Sequence, residues 1–225
     1  MCFFNSQSKR ALEIAKRYGR RSDLEEMVRE IIEEQKTQKA FMHPDCVIVT
    51  SEANLQTAQW GLIPFWVREV KKAESIRKMT ANAKAETAFA LPSFRDAIKK
   101  RRCLIPSTGF FEYHHEGKET IPYRIFLRDT DIFSLAGIFD EWLNPETKEA
   151  VRTFSVMTVT ANELCGFIHN GGHNPGRMPA ILPVEDEDKW LDPGWKEEGL
   201  RALLRPFETK LMDAYPLEKD YLRRA

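Results

Sequence analysis

Cys2 has the most unusual chemical prospects in this sequence. Cysteine is small enough that a methionine aminopeptidase is expected to remove Met1. An N-terminal cysteine then carries two nucleophiles on adjacent carbons, the α-amine and the thiol. The amine titrates at about 7.7–8.0, so a useful fraction is neutral at pH 7. An aldehyde would condense with that amine to a Schiff base, and the thiol could then close a five-membered thiazolidine. A lysine can supply only the first step. By position alone, residue 2 reads better as an arbitrary small residue.

Other segments carry groups that could assist. Glu112 stands among aromatic residues in Thr108-Gly109-Phe110-Phe111-Glu112-Tyr113, on a predicted strand. Desolvation there would raise its pKa and suit it to proton transfer, although strand alternation also allows it to face solvent. His169, in Ile168-His169-Asn170, can relay protons near neutral pH or serve as a capping or core histidine. Arg177, in Arg177-Met178-Pro179-Ala180-Ile181-Leu182, can hold a phosphate with paired donors. In Thr80-Ala81-Asn82-Ala83-Lys84-Ala85-Glu86-Thr87, Asn82 could orient a small polar group and Lys84 could meet a phosphate. A plain helix entry explains that segment as well.

His169 and His173 have a spacing that resembles a metal pair. Glycine and proline argue against the helix such a pair needs, so no metal and no cofactor is expected. Lys99–Arg102 reads as a solvated helix end and His114-His115 as a solvated hairpin tip. The sequence contains no G-x-x-x-x-G-K-[ST], G-x-G-x-x-G or G-x-S-x-G run.

These groups must be positioned by the elements around them. Residues 7–19 predict a helix with Leu12, Ile14, Ala15 and Tyr18 as apolar positions and Gly19 as its stop. Ser22-Asp23-Leu24-Glu25 is a capping box, and the helix it opens is expected to run to about Ala40. Strands are expected at 46–50, 57–60, 103–105, 108–113, 122–127, 132–139 and 151–160. Residues 60–66 form a rigid aromatic loop and 67–80 a basic surface excursion. Ser93 can cap a short helix, Asn162 can start another reaching Phe167 or Ile168, and 185–191 and 195–204 read as helices. Together they predict one α+β domain over 1–225, built around antiparallel, barrel-like sheet with peripheral helices.

Composition bounds the reading. In 225 residues, 34 Lys+Arg balance 34 Asp+Glu, so no global field attracts nucleic acid, though a local basic groove remains open. With 42% hydrophobic residues the chain can bury a core, and no apolar run approaches the roughly 20 residues of a membrane span. Nothing at the amino end resembles a signal peptide, so a cytoplasmic location is expected, without membrane contact. The four cysteines are far apart and read as reduced thiols.

In order along the chain, the motifs resemble the SOS-response-associated peptidase (SRAP) family. The matching landmarks are Met1-Cys2, Trp60-Gly61-Leu62-Ile63-Pro64-x-Trp66, Asn82–Thr87, Pro92–Arg95, Arg101–Pro106, Gly109–Tyr113, Leu135–Asp140, Thr153–Ser155 and Arg177–Leu182. The resemblance implies a protein that attaches covalently to abasic sites in single-stranded DNA. Its N-terminal cysteine would form a thiazolidine with the ring-opened sugar aldehyde and shield the lesion, and the imine offers a route to β-elimination. It implies Cys2 as nucleophile, Asn82 as its orienting residue, and Glu112 and His169 as proton carriers. Arg177 and Lys84 would contact phosphate. Independently of the family, Trp60, Trp66 and Tyr113 could serve as aromatic platforms for bases, with hydrophobic anchoring the alternative for each tryptophan and favoured for Trp60 over Trp66. A monomer is the simplest assembly.

The chain also departs from the family pattern. Phe3 and Phe4 stand where glycine and arginine are common, Lys84 where arginine is common, and Tyr113 where tryptophan is frequent. The stretch between His169 and Arg177 is longer than usual and makes His173 a rival to His169. A cysteine peptidase using Cys2, His169 and Asn82, acting on other chains or only on itself, and a noncatalytic single-strand binder are the alternative readings.

Overall fold

The computed structural model describes residues 3–7, 11–21, 37–172 and 174–224. Cys2, the capping box with most of the helix it opens, and His173 lie outside the described residues. The first half contains β1 (Phe4–Ser6), α1 (Ala11–Arg17), β2 (Gln38–Lys39), β3 (Asp45–Ile48), β4 (Gln56–Trp60), α2 (Val70–Arg77), β5 (Asn82–Lys84), α3 (Ala85–Ala88) and α4 (Arg95–Lys100). The long strands follow: β6 (Arg102–Ser107), β7 (Gly109–Glu116), β8 (Glu119–Leu127), β9 (Phe133–Leu143) and β10 (Ala150–Thr160). The chain continues through α5 (Glu163–Ile168), β11 (Arg177–Pro179), β12 (Ile181–Leu182), α6 (Val184–Leu191), α7 (Glu197–Leu203), β13 (Met212–Pro216) and α8 (Tyr221–Arg224).

The strands form two sheets. One has the order β13-β8-β7-β1-β2 and the other β12-β9-β10-β4-β3, with β6 on β9 and both β5 and β11 on β10. The architecture is α+β, as expected, and the sheets do not close into a barrel. The core lies between and around them. Trp60 stacks on Phe154 at 5.7 Å, and Trp190 donates its indole N–H to the carbonyls of Cys103 and Gly137.

β10 organises the second sheet. Residues Thr153–Val159 are buried, so its hydroxyls need partners inside the protein. Thr153 accepts from the Ile63 amide at 2.8 Å and Ser155 donates to the Thr80 carbonyl. These bonds tie the 61–63 loop and the entry to β5 against β10, and β5 then pairs in parallel with Asn82 beside Val156.

The first strand escapes the sequence reading because it is polar. Asn5, Gln7 and Gln38 are all 1% exposed. The Asn5 amide donates to Gln38 and to the Pro106 carbonyl, and accepts from Ser107 Oγ at 2.7 Å. Gln38 donates to Gln7, which bonds both backbone groups of Val47. Buried amides, rather than apolar alternation, hold β1 between β2 and β7. Asn5→Ala would remove three buried hydrogen bonds, to Ser107, Gln38 and the Pro106 carbonyl, and is expected to cost about 1–3 kcal/mol, read from urea unfolding.

Several other expectations need correction. The first helix spans Ala11–Arg17 within the predicted 7–19, with Leu12 exposed, while Gly19 ends it with a positive φ of 58°. The chain is strand and then a 3-10 turn from Gln38 to Met42, so the second predicted helix does not reach Ala40. The basic 67–80 stretch contains α2. Ser93 does not cap α4, whose first flanking residue is Phe94. Arg102 is buried, donating to the carbonyls of Ile98, Lys99, Trp190 and Asp192. His114 and His115 sit within β7 and are half-buried.

Candidate active site

Three buried polar residues from different elements mark the site. Glu112 on β7, Asn82 on β5 and His169 after α5 are 6%, 7% and 5% exposed. Such burial of a carboxyl, an amide and an imidazole costs free energy unless their surroundings satisfy them.

Glu112 sits where the chain's amino end enters the first sheet. β1 pairs antiparallel with β7 so that Phe4 faces Phe111 and Asn5 faces Phe110. Burial pushes the Glu112 carboxyl up to about 8. It is therefore largely protonated at pH 7 and able to donate. Tyr113, the next residue, is half-buried and meets Phe4 edge-on at 6.1 Å.

His169 is placed by a capped helix. Asn162 accepts from the Cys165 amide at the start of α5, as its sequence position predicts, and His169 ends the helix with its amide on the Cys165 carbonyl. α5 packs on β7, and Glu112, when ionised, lies near enough to raise the Cys165 thiol. Burial lowers the His169 pKa. The ring is neutral at pH 7 and can accept a proton.

The long stretch between His169 and Arg177 is looped out. His169 Nδ1 lies 3.0 Å from the Arg177 carbonyl, and the Gly176 amide donates to the His169 carbonyl. The histidine and arginine thus meet directly across the base of the insertion. Three contacts dock the loop. The Asn170 side chain accepts from the His115 amide at 2.8 Å and donates to its carbonyl at 3.0 Å. Asn174 Oδ1 accepts from Lys84 Nζ at 2.9 Å. The Phe167 ring, at the end of α5, stacks on His114 at 4.6 Å.

Arg177 lies on β11 and Asn82 and Lys84 on β5, and both strands pair with the same end of β10. The Arg177 guanidinium is engaged: it donates to both oxygens of Glu86 at 2.6 and 2.9 Å, and to the Thr158 carbonyl at 2.7 Å. That pairing holds the Glu86 carboxyl below its ordinary value. Lys84 is bonded to Asn174 as above. Both cations expected to meet phosphate therefore have internal partners.

Trp66 is not brought to this cluster. It packs with Ile63, Val67, Ala73 and Trp142 against Val151, with Lys72 over its ring at 5.6 Å. Val151 and the Val156–Thr160 end of β10 are separated by roughly 15–30 Å along the strand. Trp60 is fully buried and donates to the Ala81 carbonyl, so it anchors the segment leading to Asn82.

Glu86, His115, Asn170 and Asn174 went unassigned in the sequence. Glu86 lay inside a quoted motif, but only the fold reveals its partner. Cys46, Cys103 and Cys165 are buried and burial raises each thiol pKa, so none is a poised thiolate. Among the described residues no cluster of three or more His, Cys, Asp or Glu could hold a metal, and no helix is long and apolar enough to cross a membrane.

Comparison with known proteins finds similar sequences and a similar fold. The model of the family described as SOS response associated peptidase (SRAP) matches residues 1–221. The abasic site processing protein YoqW of Bacillus subtilis is 36% identical over 167 residues, covering 73% of this chain and 70% of that protein. The abasic site processing protein HMCES of Gallus gallus is 32% identical over 183 residues, covering 71% of this chain and 52% of that protein. A crystal structure of a protein from Bacteroides thetaiotaomicron superposes with a TM-score of 0.96 at 48% identity, covering 100% of this chain and 95% of that one.

Proposed function

Because the chain belongs to the SOS response associated peptidase family, we propose that it processes abasic sites in single-stranded DNA by bonding covalently to them. The observation that carries this reading is the buried, proton-bearing Glu112 beside the strand through which the amino end enters the sheet. The names of the relatives supply the lesion. The whole chain is taken as one functional unit acting as a monomer.

The chemistry begins with removal of Met1. The neutral α-amine of Cys2 adds to the aldehyde carbon of the ring-opened sugar, giving a carbinolamine. Glu112 protonates its hydroxyl, which leaves as water, and a protonated imine remains. His169 accepts the thiol proton, the sulfur closes the thiazolidine on the imine carbon, and transfer of a proton from His169 back to Glu112 restores both groups. One water is lost overall and no oxidant is needed. Asn82 orients the amine. Arg177 and Lys84 exchange Glu86 and Asn174 for phosphate oxygens, and Tyr113 offers a ring to an adjacent base. The imine also opens β-elimination, the lyase branch. A peptidase reaction would have to use Cys2 as well, since the three described thiols are buried.

Incubation with a single strand holding one abasic site should give a species that survives denaturing electrophoresis, whereas an undamaged strand gives none. Identical, salt-reversible behaviour on both strands would leave a noncatalytic binder. His169→Gln should slow adduct formation by about 10²-fold or more, as loss of a proton carrier does, while His173→Gln leaves the rate unchanged. The reverse pattern would transfer the role to His173.

A further inference from the structure

We infer that Asn170 is a positioning residue: through both backbone groups of His115 it fixes His169 relative to the strand that carries Glu112. The inference rests on the proposed roles of His169 and Glu112, and it concerns the looped-out segment that distinguishes this chain from the compact pattern.

The geometry has three parts. First, the Asn170 carboxamide bonds the N–H and the C=O of one residue, His115, as a neighbouring strand would. It extends the edge of β7 by one rung, three residues along from Glu112. Second, the adjacent residue, His169, is held from its other side by β11, through Nδ1 at the Arg177 carbonyl and the Gly176 amide on its own carbonyl. The imidazole is thus fixed between β11 and β7, which belong to different sheets. Third, Gly171 lies so close to the His115 ring that an added Cβ would stand 2.6 Å from it. Only glycine permits this approach, so the seat is built for close contact rather than met by a passing loop.

Without this clamp, His169 keeps its tie to β11, but the distance to Glu112 depends on the helix end alone. Proton transfer is steep in distance, and a shift of about 1 Å can cost up to 10²-fold. The clamp acts on the chemical step and not on DNA capture, because Asn170 reaches β7 and contacts neither Arg177 nor Lys84.

The test is a double-mutant cycle on single-turnover adduct formation, using the full-length processed protein and a synthetic single strand with one abasic site. Asn170→Ala should lower the maximal rate about tenfold while the half-saturating DNA concentration stays within twofold. Binding of a strand carrying a tetrahydrofuran abasic analogue, which cannot react, should be unchanged. Gly171→Ala, which unseats the loop from the other side, should give the same split, and thermal melting identifies either variant as folded. On a His169→Gln background neither substitution should slow the reaction further, because both act through His169. An unchanged rate in both single variants, or an equal further loss on the His169→Gln background, would overturn the inference. Full activity of His169→Gln itself would instead overturn the role assigned to His169, so the two failures are distinguishable.

Discussion

Glu112→Gln is expected to slow adduct formation by about 10²- to 10⁴-fold while leaving binding to a non-reactive abasic analogue within a few-fold of the parent. Glutamine keeps the shape and hydrogen-bonding capacity of the protonated carboxyl but cannot release a proton to the departing hydroxyl. The pH profile gives a second signature. The parent rate should climb as the Cys2 amine loses its proton, near 7.7–8.0, and fall once Glu112 ionises above about 8. The variant should lack the alkaline fall. Equal losses in rate and in binding would make Glu112 a structural residue.

The same carboxyl affects stability, with a definite sign. Its folded pKa is raised from 4.5 to about 8, so between those values the folded state holds a proton that the unfolded state has released. Stability therefore declines as pH rises through that window and is unaffected by this group below it. Urea midpoints of the parent should fall between pH 4.5 and 8 more steeply than those of Glu112→Gln.

Retention of Met1 is expected to have the largest effect, loss of the adduct to background. An amide nitrogen at residue 2 cannot form an imine, and a thiol alone gives only a reversible hemithioacetal. Protein produced with methionine aminopeptidase inhibited, its retained Met1 verified by intact mass, would test this. Cys2→Ala separates the two steps. With Met1 removed it should still form an imine, trapped only by borohydride, and no stable adduct without the reductant. A normal adduct yield from protein that keeps Met1 would sink the mechanism.

Much of the architecture was readable because local rules and tertiary packing agree. Asn162 caps α5 and Gly19 ends α1 where their residue types predict, and the apolar runs of β9 and β10 announced buried strands. The failures share another physical cause. β1 is held by buried amides, and Asn5-Ser6-Gln7 carries no hydrophobic period from which to read a strand. Arg102 stands in a basic run that looks solvated, yet its guanidinium is consumed by four backbone carbonyls that sequence cannot bring together.

The site shows the same division. Residue types pointed to Asn82, Glu112, His169 and Arg177 as candidates, and the fold buries the first three and joins His169 to Arg177 across the insertion. Their partners were not legible. Glu86 on Arg177 and Asn174 on Lys84 are pairings between distant segments, and charge counting treats both cations as available. Trp66 reads as a platform for a base because it is aromatic, but its loop leads it to the opposite end of β10.

The central claim, a covalent bond between the amino-terminal cysteine and the lesion, is tested most directly by peptide mass mapping of the adduct. The parent protein is incubated with a single strand bearing one abasic site, digested with nuclease and protease, and analysed without reductant. The account predicts an amino-terminal peptide that begins at Cys2 and carries the sugar remnant minus one water, with neither its amine nor its thiol open to acylating or alkylating reagents. A sugar remnant on a lysine side chain, or an adduct on protein that retains Met1, would contradict it.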